Sequence, residues 1–319
     1  MTASVSGPDL QNARPVGRFA PTPSGPLHFG SLLAALGSFL DTRSRGGQWK
    51  LRIDDLDTPR VVPGAIDTIL RQLEACGLYW DDEPLRQSTR REAHDAALET
   101  LKARGLAYPC ACSRRELRAL GLPGPHGPIY PGTCREGLPE GRKPRAIRVR
   151  VPDRRVCVDD RLQGRYCQHL GQEIGDFIVL RADGIVAYQL ATVVDDAFQG
   201  VTDVVRGFDL LDSTPRQRYL LECLDLPLPR WMHLPVILGP DGLKLAKQNR
   251  ARPIPLEDPA PWMWAALHAL GMDPPAALRT APPETLLEWA LPEWSAERLP
   301  RREGIPLPEG LAVTDMQAD

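Results

Sequence analysis

Residues 17–40 constrain the chain most, because they join an apolar segment, a proline-rich loop and a helical apolar pattern. After Gly30, leucine and phenylalanine recur at separations of three and four, which predicts a helix with one buried face, capped by Ser31. The first N–H groups of a helix lack internal partners and lie at the positive end of its dipole, so the preceding loop can bind an anion. His28 in that loop can donate a hydrogen bond to a phosphate oxygen. The alternative is a rigid strand-to-helix turn that binds nothing.

A second motif, at residues 241–249, places Lys244 and Lys247 three residues apart in a predicted turn. Two lysines on a loop are most often a solvated surface. Together, however, His28-Phe29-Gly30-Ser31 and Lys244-Leu245-Ala246-Lys247-Gln248 resemble the HIGH and KMSKS signatures of class I aminoacyl-tRNA synthetases. Each motif is degenerate, and their order and separation carry the resemblance.

Three further segments narrow the resemblance to glutamyl-tRNA synthetases. They are Arg18-Phe19-Ala20-Pro21-Thr22, the predicted strand end at residues 51–57, and the block at residues 188–217. The resemblance extends over residues 15–250. Within the family, the chain resembles most the truncated glutamyl-Q tRNA(Asp) branch. It implies an α/β fold, namely a class I synthetase Rossmann-like catalytic domain with a zinc-bearing insertion and a short, mainly helical C-terminal region.

The same resemblance divides the chain into segments. Residues 14–106 and 185–248 are expected to form the two halves of the catalytic domain, the second with the KMSKS-like loop. Residues 107–184 are expected to form a zinc-bearing insertion of the acceptor-binding type, and residues 249–319 a helical region like a stem-contact domain. Glutamyl-tRNA synthetases continue from there into anticodon-binding domains, for which residues 248–319 are too few. This expectation argues against ordinary charging of tRNA(Glu).

The resemblance also implies a binding site for glutamate. Its residues are Arg18, Phe19, Ala20, Pro21, Thr22, Asp54, Tyr188 and Arg206. Arginine suits the role because its planar guanidinium grips a carboxylate through two parallel hydrogen bonds. A neutral amide substrate would leave one guanidinium of the Arg18 and Arg206 pair without a counter-charge, so the pair favours glutamate. The alternative for Arg206 is a structural ion pair with Asp195 or Asp209.

Asp54, Asp55 and Asp57 follow a strand predicted over residues 49–53. From the residues alone, three carboxylates at a strand end could hold a metal ion. The resemblance instead implies that Asp54 binds the amino group of the substrate, at a position where the family usually has glutamate.

The chemistry implied by the family begins with attack of the glutamate α-carboxylate on the α-phosphate of ATP. His28, Gly30 and Lys247 are expected to bind ATP, with Mg²⁺ accompanying the nucleotide. His28, Lys244 and Lys247 are expected to be catalytic, because cations stabilise the charge that develops on the leaving pyrophosphate. Ala246 replaces the usual serine of the lysine motif. The glutamyl group is then expected to pass from the adenylate to queuosine at the wobble position of tRNA(Asp).

Two alternatives stay open on the sequence. One is a shortened glutamyl-tRNA synthetase that charges a tRNA 3′ end. The other is a catalytically silent module that binds zinc and RNA.

Cys110, Cys112 and Cys134 come from two close segments and suit a tetrahedral zinc ion, which needs four ligands. The fourth ligand is Tyr130 or His126. Imidazole is the commoner ligand in general, whereas the resemblance to the glutamyl-Q enzymes implies Tyr130. A full set of protein ligands makes one structural Zn²⁺ per chain, without an open position for catalysis. The alternative is three reduced, buried cysteines without a metal.

Composition limits the remaining possibilities. A net charge of −2 provides no general attraction to nucleic acid, so RNA contacts must come from local patches, such as the basic face of a strand predicted over residues 146–151.

No apolar run suits a signal peptide or a membrane span, and we expect a cytoplasmic monomer without a membrane partner. Seven cysteines in such a chain predict thiols or metal ligands rather than disulfides. Cys157 and Cys167 are expected to be core or surface residues.

Two local patterns predict how side chains are delivered. Thr89 and Glu92 have the spacing of a capping box, which predicts the start of a helix. Asp183-Gly184 predicts a hairpin whose second strand, at residues 185–191, carries Tyr188.

Overall fold

The computed structural model describes residues 14–239, 241–245, 251–308 and 311. Ala246, Lys247 and Gln248 lie outside the described residues, and the roles predicted for them stay predictions. The strands are β1 Val16–Phe19, β2 Gln48–Ile53, β3 Leu85–Arg86, β4 Ala107–Cys110, β5 Ala146–Val149, β6 Arg155–Asp160, β7 Gly164–His169, β8 Phe177–Leu180, β9 Asp203–Gly207, β10 Arg230–Leu234, β11 Val236–Leu238 and β12 Gly304–Pro306. The α-helices are α1 Phe29–Arg43, α2 Ala65–Ala75, α3 Arg91–Ala103, α4 Arg114–Leu120, α5 Tyr188–Phe198, α6 Thr214–Cys223, α7 Ala260–Ala269 and α8 Pro283–Glu293.

The main sheet has seven strands in the order β3-β2-β1-β9-β10-β6-β7. Neighbouring strands run parallel except β6 and β7, which are antiparallel. This order places β1, from the first part of the chain, beside β9, from the second part. Because the carboxyl ends of parallel strands meet at one edge of a sheet, residues distant in sequence converge there.

Helix α1 packs one face on this sheet, as its apolar spacing predicts. Leu32, Leu36 and Leu40 are fully buried, and each such side chain stabilises the fold by about 1.5–3 kcal/mol relative to exposure. A Cβ atom at Gly37 would lie 2.5 Å from Leu234 Cδ1, so a larger residue there would displace the Leu234 side chain of β10. Helix α7 covers α1 from the other side.

The described part of the insertion contains a second sheet, of three antiparallel strands in the order β4-β5-β8. Strands β6 and β7, which belong to the same predicted segment, extend the main sheet instead. Cys157 and Cys167 lie directly opposite each other on these two strands and form a disulfide. The prediction that both would be thiols was therefore wrong, because strand register, which brings them together, is not visible in cysteine counts.

Two predicted helix starts differ from the structure. His28 rather than Ser31 caps α1, and its Nδ1 accepts a hydrogen bond from the backbone N–H of Ser31. The capping box at Thr89 and Glu92 is absent, because the Thr89 hydroxyl donates to the carbonyl oxygen of Arg86 and α3 begins later, at Arg91. Local side-chain hydrogen bonds of this kind compete with helix capping.

The hairpin at Asp183-Gly184 forms only in part. Backbone bonds join Arg181 to Ile185, and Val186 makes a single bridge to Leu180. The predicted second strand was wrong, because residues 188–198 have apolar positions at helical spacing and form α5. Tyr188 is consequently the first residue of a helix.

Among the described residues, none of the helices combines the length and the apolar character needed to cross a membrane.

Candidate active site and metal centre

Five strand-borne or helix-borne side chains converge at the carboxyl edge of the main sheet. Arg18 lies on β1, Arg52 on β2, Arg206 on β9 and His233 on β10, while Asp196 comes from α5. All five are buried. The observed sheet order, with β1 beside β9, explains how the two halves of the chain build one site.

Arg18 and Arg52 are compensated by carboxylates of the protein. Arg18 Nε donates to Asp196 Oδ1 over 3.1 Å, and Arg52 lies between Asp196 and Asp54, with 2.7 Å from its Nε to Asp54 Oδ1. Burial raises the pKa of Asp196, but Arg18 and Arg52 outweigh it and hold that pKa below its usual range. The two guanidinium groups and the two carboxylates form a neutral cluster. Of the Arg18 and Arg206 pair, Arg18 therefore already has a counter-charge within the protein.

Asp54 is the less stabilised carboxylate of this cluster. Burial raises its pKa, and the attraction of Arg52 does not fully offset that effect. Asp55 accepts hydrogen bonds from the backbone and side chain of Ser88, and Asp57 pairs with Arg60. The three carboxylates point to different partners, which does not support the alternative of a metal site at this strand end.

Arg206 differs from the other two arginines, because no described carboxylate pairs with it. Its neighbours are neutral acceptors: Tyr188 Oη at 3.3 Å, His233 Nε2 at 3.0 Å, Thr214 Oγ1 at 2.9 Å, Gln217 Oε1 at 2.7 Å and the Leu210 carbonyl oxygen at 3.3 Å. Only 5% of Arg206 is exposed, and this burial lowers its pKa. A desolvated guanidinium held by neutral groups is a site for an anion.

The structural alternative for Arg206 is not found among the described residues. Asp195 bonds Gln87, His94 and Arg90 instead. Asp209 accepts from Lys244. Both carboxylates predicted as possible partners of Arg206 are therefore engaged elsewhere.

The remaining residues predicted for glutamate lie around the end of β1. Phe19 packs inward and stacks on Trp49 with 6.4 Å between ring centroids. The carbonyl oxygen of Pro21 accepts the Asp54 N–H over 3.0 Å, which ties the loop to the end of β2. Ala20 and Thr22 are half-buried beside them.

The predicted phosphate loop is fixed by the C-terminal part of the chain. Gln72 on α2 holds Leu27 and Ile254 by hydrogen bonds to their backbone groups, and His28 forms a bridge with Pro253. A Cβ atom at Gly30 would lie 3.1 Å from the His28 ring. Because Nδ1 of His28 accepts from Ser31, a neutral His28 ring carries its proton on Nε2. The loop thus presents an N–H donor at the amino end of α1.

Lys244 lies on the described side of the KMSKS-like loop. It forms a backbone bridge with Leu238, and its ammonium group donates to Asp209. Its side chain is half exposed.

Three cysteines of the insertion form a cluster that could bind a metal ion. The Sγ atoms of Cys110, Cys112 and Cys134 all lie within 4.8 Å of one another. The Tyr130 hydroxyl is 3.6 Å from Cys110 Sγ and 4.0 Å from Cys112 Sγ. His126 instead contacts Asp212 and Gln168.

Arg148 supports the cluster from β5. Its Nε donates to Cys110 Sγ over 3.3 Å, and its guanidinium lies 3.8 Å from the centre of the Tyr130 ring. Burial raises the pKa of Cys110, but hydrogen bonds from Tyr130, the backbone of Cys112 and Arg148 lower it below its ordinary value. A thiolate is the form that binds metals. Arg148 is therefore not part of a solvated basic face, as the alternating strand pattern suggested.

Sequence reasoning missed four side chains that hold the arginines: Asp160, Asp196, Gln217 and His233. The block at residues 188–217 contains Asp196 and Gln217, but the resemblance implied roles only for Tyr188 and Arg206 there. Asp160 and His233 had no motif signal, because their partners are set by the order of the strands.

Comparisons with known proteins agree with this geometry. The family model for class I tRNA synthetases (E and Q), catalytic domain, matches residues 16–256. A glutamyl-Q tRNA(Asp) synthetase of Ectopseudomonas mendocina is 53% identical over 290 residues, which are 91% of this chain and 96% of the relative. That of Pseudomonas fluorescens is 50% identical over 306 residues, which are 96% of this chain and 98% of the relative.

A solved structure is also similar. It is a glutamate tRNA ligase from Elizabethkingia meningosepticum in complex with its amino acid, with a TM-score of 0.78 and 25% identity. The alignment covers 94% of this chain and 68% of that ligase. The α/β fold predicted from the sequence, a class I synthetase catalytic domain, is confirmed.

Proposed function

Because the chain belongs to the class I tRNA synthetases of the E and Q family, we propose that it is a ligase acting on glutamate and tRNA(Asp). It activates L-glutamate with ATP and transfers the glutamyl group to queuosine at the wobble position. The names of its relatives support this function, at about half identity over nearly their whole length. Its function is thus tRNA modification.

The observation that carries the choice of substrate is that no described carboxylate forms an ion pair with Arg206, although Asp196 and Asp209 attract it from a greater distance. A buried guanidinium surrounded by neutral acceptors binds a carboxylate more strongly than an amide, because the amide brings no counter-charge. Arg18 is already paired with Asp196, so it adds oriented hydrogen-bond donors to the site but no net positive charge. Glutamate is therefore preferred to glutamine. Asp54, which already pairs with Arg52, adds a hydrogen-bond acceptor for the amino group of the substrate.

Activation needs two anions to be brought together. The loop of His28 and Gly30, at the amino end of α1, receives the phosphates of ATP, with Mg²⁺ accompanying the nucleotide. The α-carboxylate attacks the α-phosphate, pyrophosphate leaves, and Lys247 and Lys244 stabilise the charge on it. Catalysis rests on positioning and electrostatic stabilisation, because no protein group forms a covalent bond.

The cysteine cluster holds a structural Zn²⁺ in this proposal. Cys110, Cys112 and Cys134 supply three ligands and Tyr130 the fourth, since its hydroxyl lies beside two of the sulfur atoms while His126 does not. Four protein ligands close the site. The ion then stabilises the insertion and takes no part in the reaction.

Contacts with tRNA come from exposed basic residues of the insertion. These residues form no ion pair with a described residue; they are Arg114, Arg115 and Arg118 on α4, and Lys143 and Arg145 before β5. Such side chains bind phosphates. The protein acts as a monomer in the cytoplasm.

The test is ATP–pyrophosphate exchange, with and without tRNA, for wild-type protein and the Arg206→Ala variant. Wild type should exchange with glutamate and far less with glutamine. Arg206→Ala should reduce kcat/KM for glutamate by about a hundredfold, because it leaves a substrate charge unpaired in a desolvated site, and should leave the KM for ATP nearly unchanged.

The control is Arg114→Ala, which alters the insertion surface and should preserve exchange without tRNA. An unchanged glutamate KM in Arg206→Ala would remove Arg206 from the site. Absence of exchange in every wild-type condition would favour the silent binding module instead.

A further inference from the structure

We propose that Asp160 and His233 are a positioning pair that fixes the direction in which Arg206 presents its hydrogen-bond donors to the substrate. The proposal rests on the proposed function, in which Arg206 binds a carboxylate of glutamate. Neither residue touches the substrate itself. Both act by controlling where the proton of one imidazole ring lies.

The contact between His233 and Arg206 determines the tautomer of the ring. The two residues are register neighbours on β9 and β10, and Arg206 Nε lies 3.0 Å from His233 Nε2. A guanidinium can only donate, so Nε2 must be the acceptor and the neutral ring must carry its proton on Nδ1. Nδ1 lies 2.6 Å from Asp160 Oδ2, which accepts that proton's hydrogen bond.

Asp160 is itself held in one orientation. Its Oδ1 accepts the backbone N–H groups of Leu162 at 3.0 Å, Gln163 at 2.8 Å and His233 at 3.2 Å. Oδ2 is thereby left for His233 alone among these contacts. A carboxylate is needed here, because both of its oxygens must accept.

The surroundings keep the ring neutral. His233 is fully buried, and the charged groups that face it are Arg206 on β9, Arg18 on β1 and Asp160 at the end of β6. Burial, with a smaller contribution from Arg206, lowers the pKa of His233 to about 4, in spite of the hydrogen bond to Asp160. A protonated ring would place an N–H group against the N–H of Arg206. The ring therefore functions as an acceptor.

The consequence is a fixed guanidinium. His233 holds Nε, while Thr214, Gln217 and the Leu210 carbonyl hold Nη2. The described contact of Nη1 is the Tyr188 hydroxyl at 3.3 Å, on the side where α5 begins. Nη1 is thus the edge that the pair directs towards a carboxylate.

Asp160→Asn tests the pair, because three backbone donors fix which way the new amide faces. Its oxygen must accept from the backbone, so its NH₂ group faces His233 Nδ1 and forces the ring proton onto Nε2. That proton then opposes the N–H of Arg206. We expect the KM for glutamate to rise about tenfold to a hundredfold, while the KM for ATP changes less than about threefold.

Three further measurements separate positioning from folding. Ring ¹⁵N chemical shifts should place the His233 proton on Nδ1 in wild type and on Nε2 in Asp160→Asn. His233→Gln keeps an acceptor for Arg206 and should retain more glutamate affinity than His233→Leu. Asp203→Asn removes a buried carboxylate at the amino end of β9, where it bonds Arg45, Arg161 and Arg230, and should leave the KM for glutamate unchanged.

A folded Asp160→Asn protein with an Nε2–H ring and an unchanged glutamate KM would overturn the proposal. An Nε2–H ring in wild type would also overturn it, whatever the activity. Absence of glutamate-dependent exchange in wild type would refute the proposed function instead, and the ring tautomer would then decide whether the pair exists.

Discussion

Charge compensation distinguishes the three buried arginines of the candidate active site, Arg18, Arg52 and Arg206. Arg18 and Arg52 share Asp196, and Arg52 also pairs with Asp54, so these groups form a neutral and self-contained cluster. Arg206 is held by neutral groups only, among the described residues. Fixed, unpaired charge in a water-poor site is costly unless a ligand compensates it. We therefore propose that recognition of an acidic amino acid rests on Arg206.

The neutral state of His233 also has a consequence for stability. Its pKa is about 4 in the folded protein against an ordinary value of 6.5, so the unfolded chain binds a proton that the folded protein does not. Stability should therefore fall as pH decreases from 6.5 towards 4, by at most about 1.4 kcal/mol per pH unit for this group. The lowered pKa of Asp160 acts in the same direction at lower pH.

Urea unfolding between pH 7 and pH 4 measures this effect. His233→Gln, which does not titrate, should show a shallower loss of stability than wild type over the same interval. Equal slopes for the two proteins would show that His233 binds its proton over the same pH range in the folded protein as in the unfolded chain.

At the scale of elements, two contacts place the functional loops. Gln72 on α2 holds the His28 loop through the backbone of Leu27 and joins it to Ile254 in the C-terminal part of the chain. In the insertion, β5 carries Arg148 under the cysteine cluster, where it contacts both Cys110 and Tyr130. The insertion has a small core of its own, consisting mainly of the cluster residues and Tyr108. A bound ion should therefore dominate its stability.

Metal analysis of purified protein should give one zinc per chain. Cys112→Ser and Cys134→Ser should lose the ion and lower the melting temperature, because each removes a thiolate ligand from a closed site. Cys223→Ser is the matched control, since Cys223 is buried outside the cluster. Tyr130→Phe should weaken zinc binding, whereas His126→Ala should not. The opposite result for these two variants would make His126 the fourth ligand.

At the scale of the whole molecule, motif spacing indicates the class of protein, whereas strand order determines which distant residues come together. Apolar periodicity and the paired HIGH-like and KMSKS-like motifs were sufficient to predict α1, the parallel sheet and the class of enzyme. Local patterns were less reliable: Tyr188 lies on a helix rather than a strand, and Ser31 is not the cap. Residues such as Asp160, Asp196 and His233 could not be predicted, because their partners depend on how distant strands pair. The cluster of Cys110, Cys112 and Cys134 was predictable, since its residues lie close in sequence.

The most direct test of the function is transfer of labelled glutamate to tRNA(Asp) with and without queuosine, after the 3′ end of the tRNA has been blocked by a terminal 3′-deoxynucleotide. An anticodon stem-loop with the same blocked end is a second substrate, and periodate is avoided because it would also cleave the diol of queuosine. We expect stable labelling only of the tRNA(Asp) that carries queuosine. Labelling of an intact 3′ end on tRNA(Glu), with none on queuosine, would contradict it and identify a shortened glutamyl-tRNA synthetase.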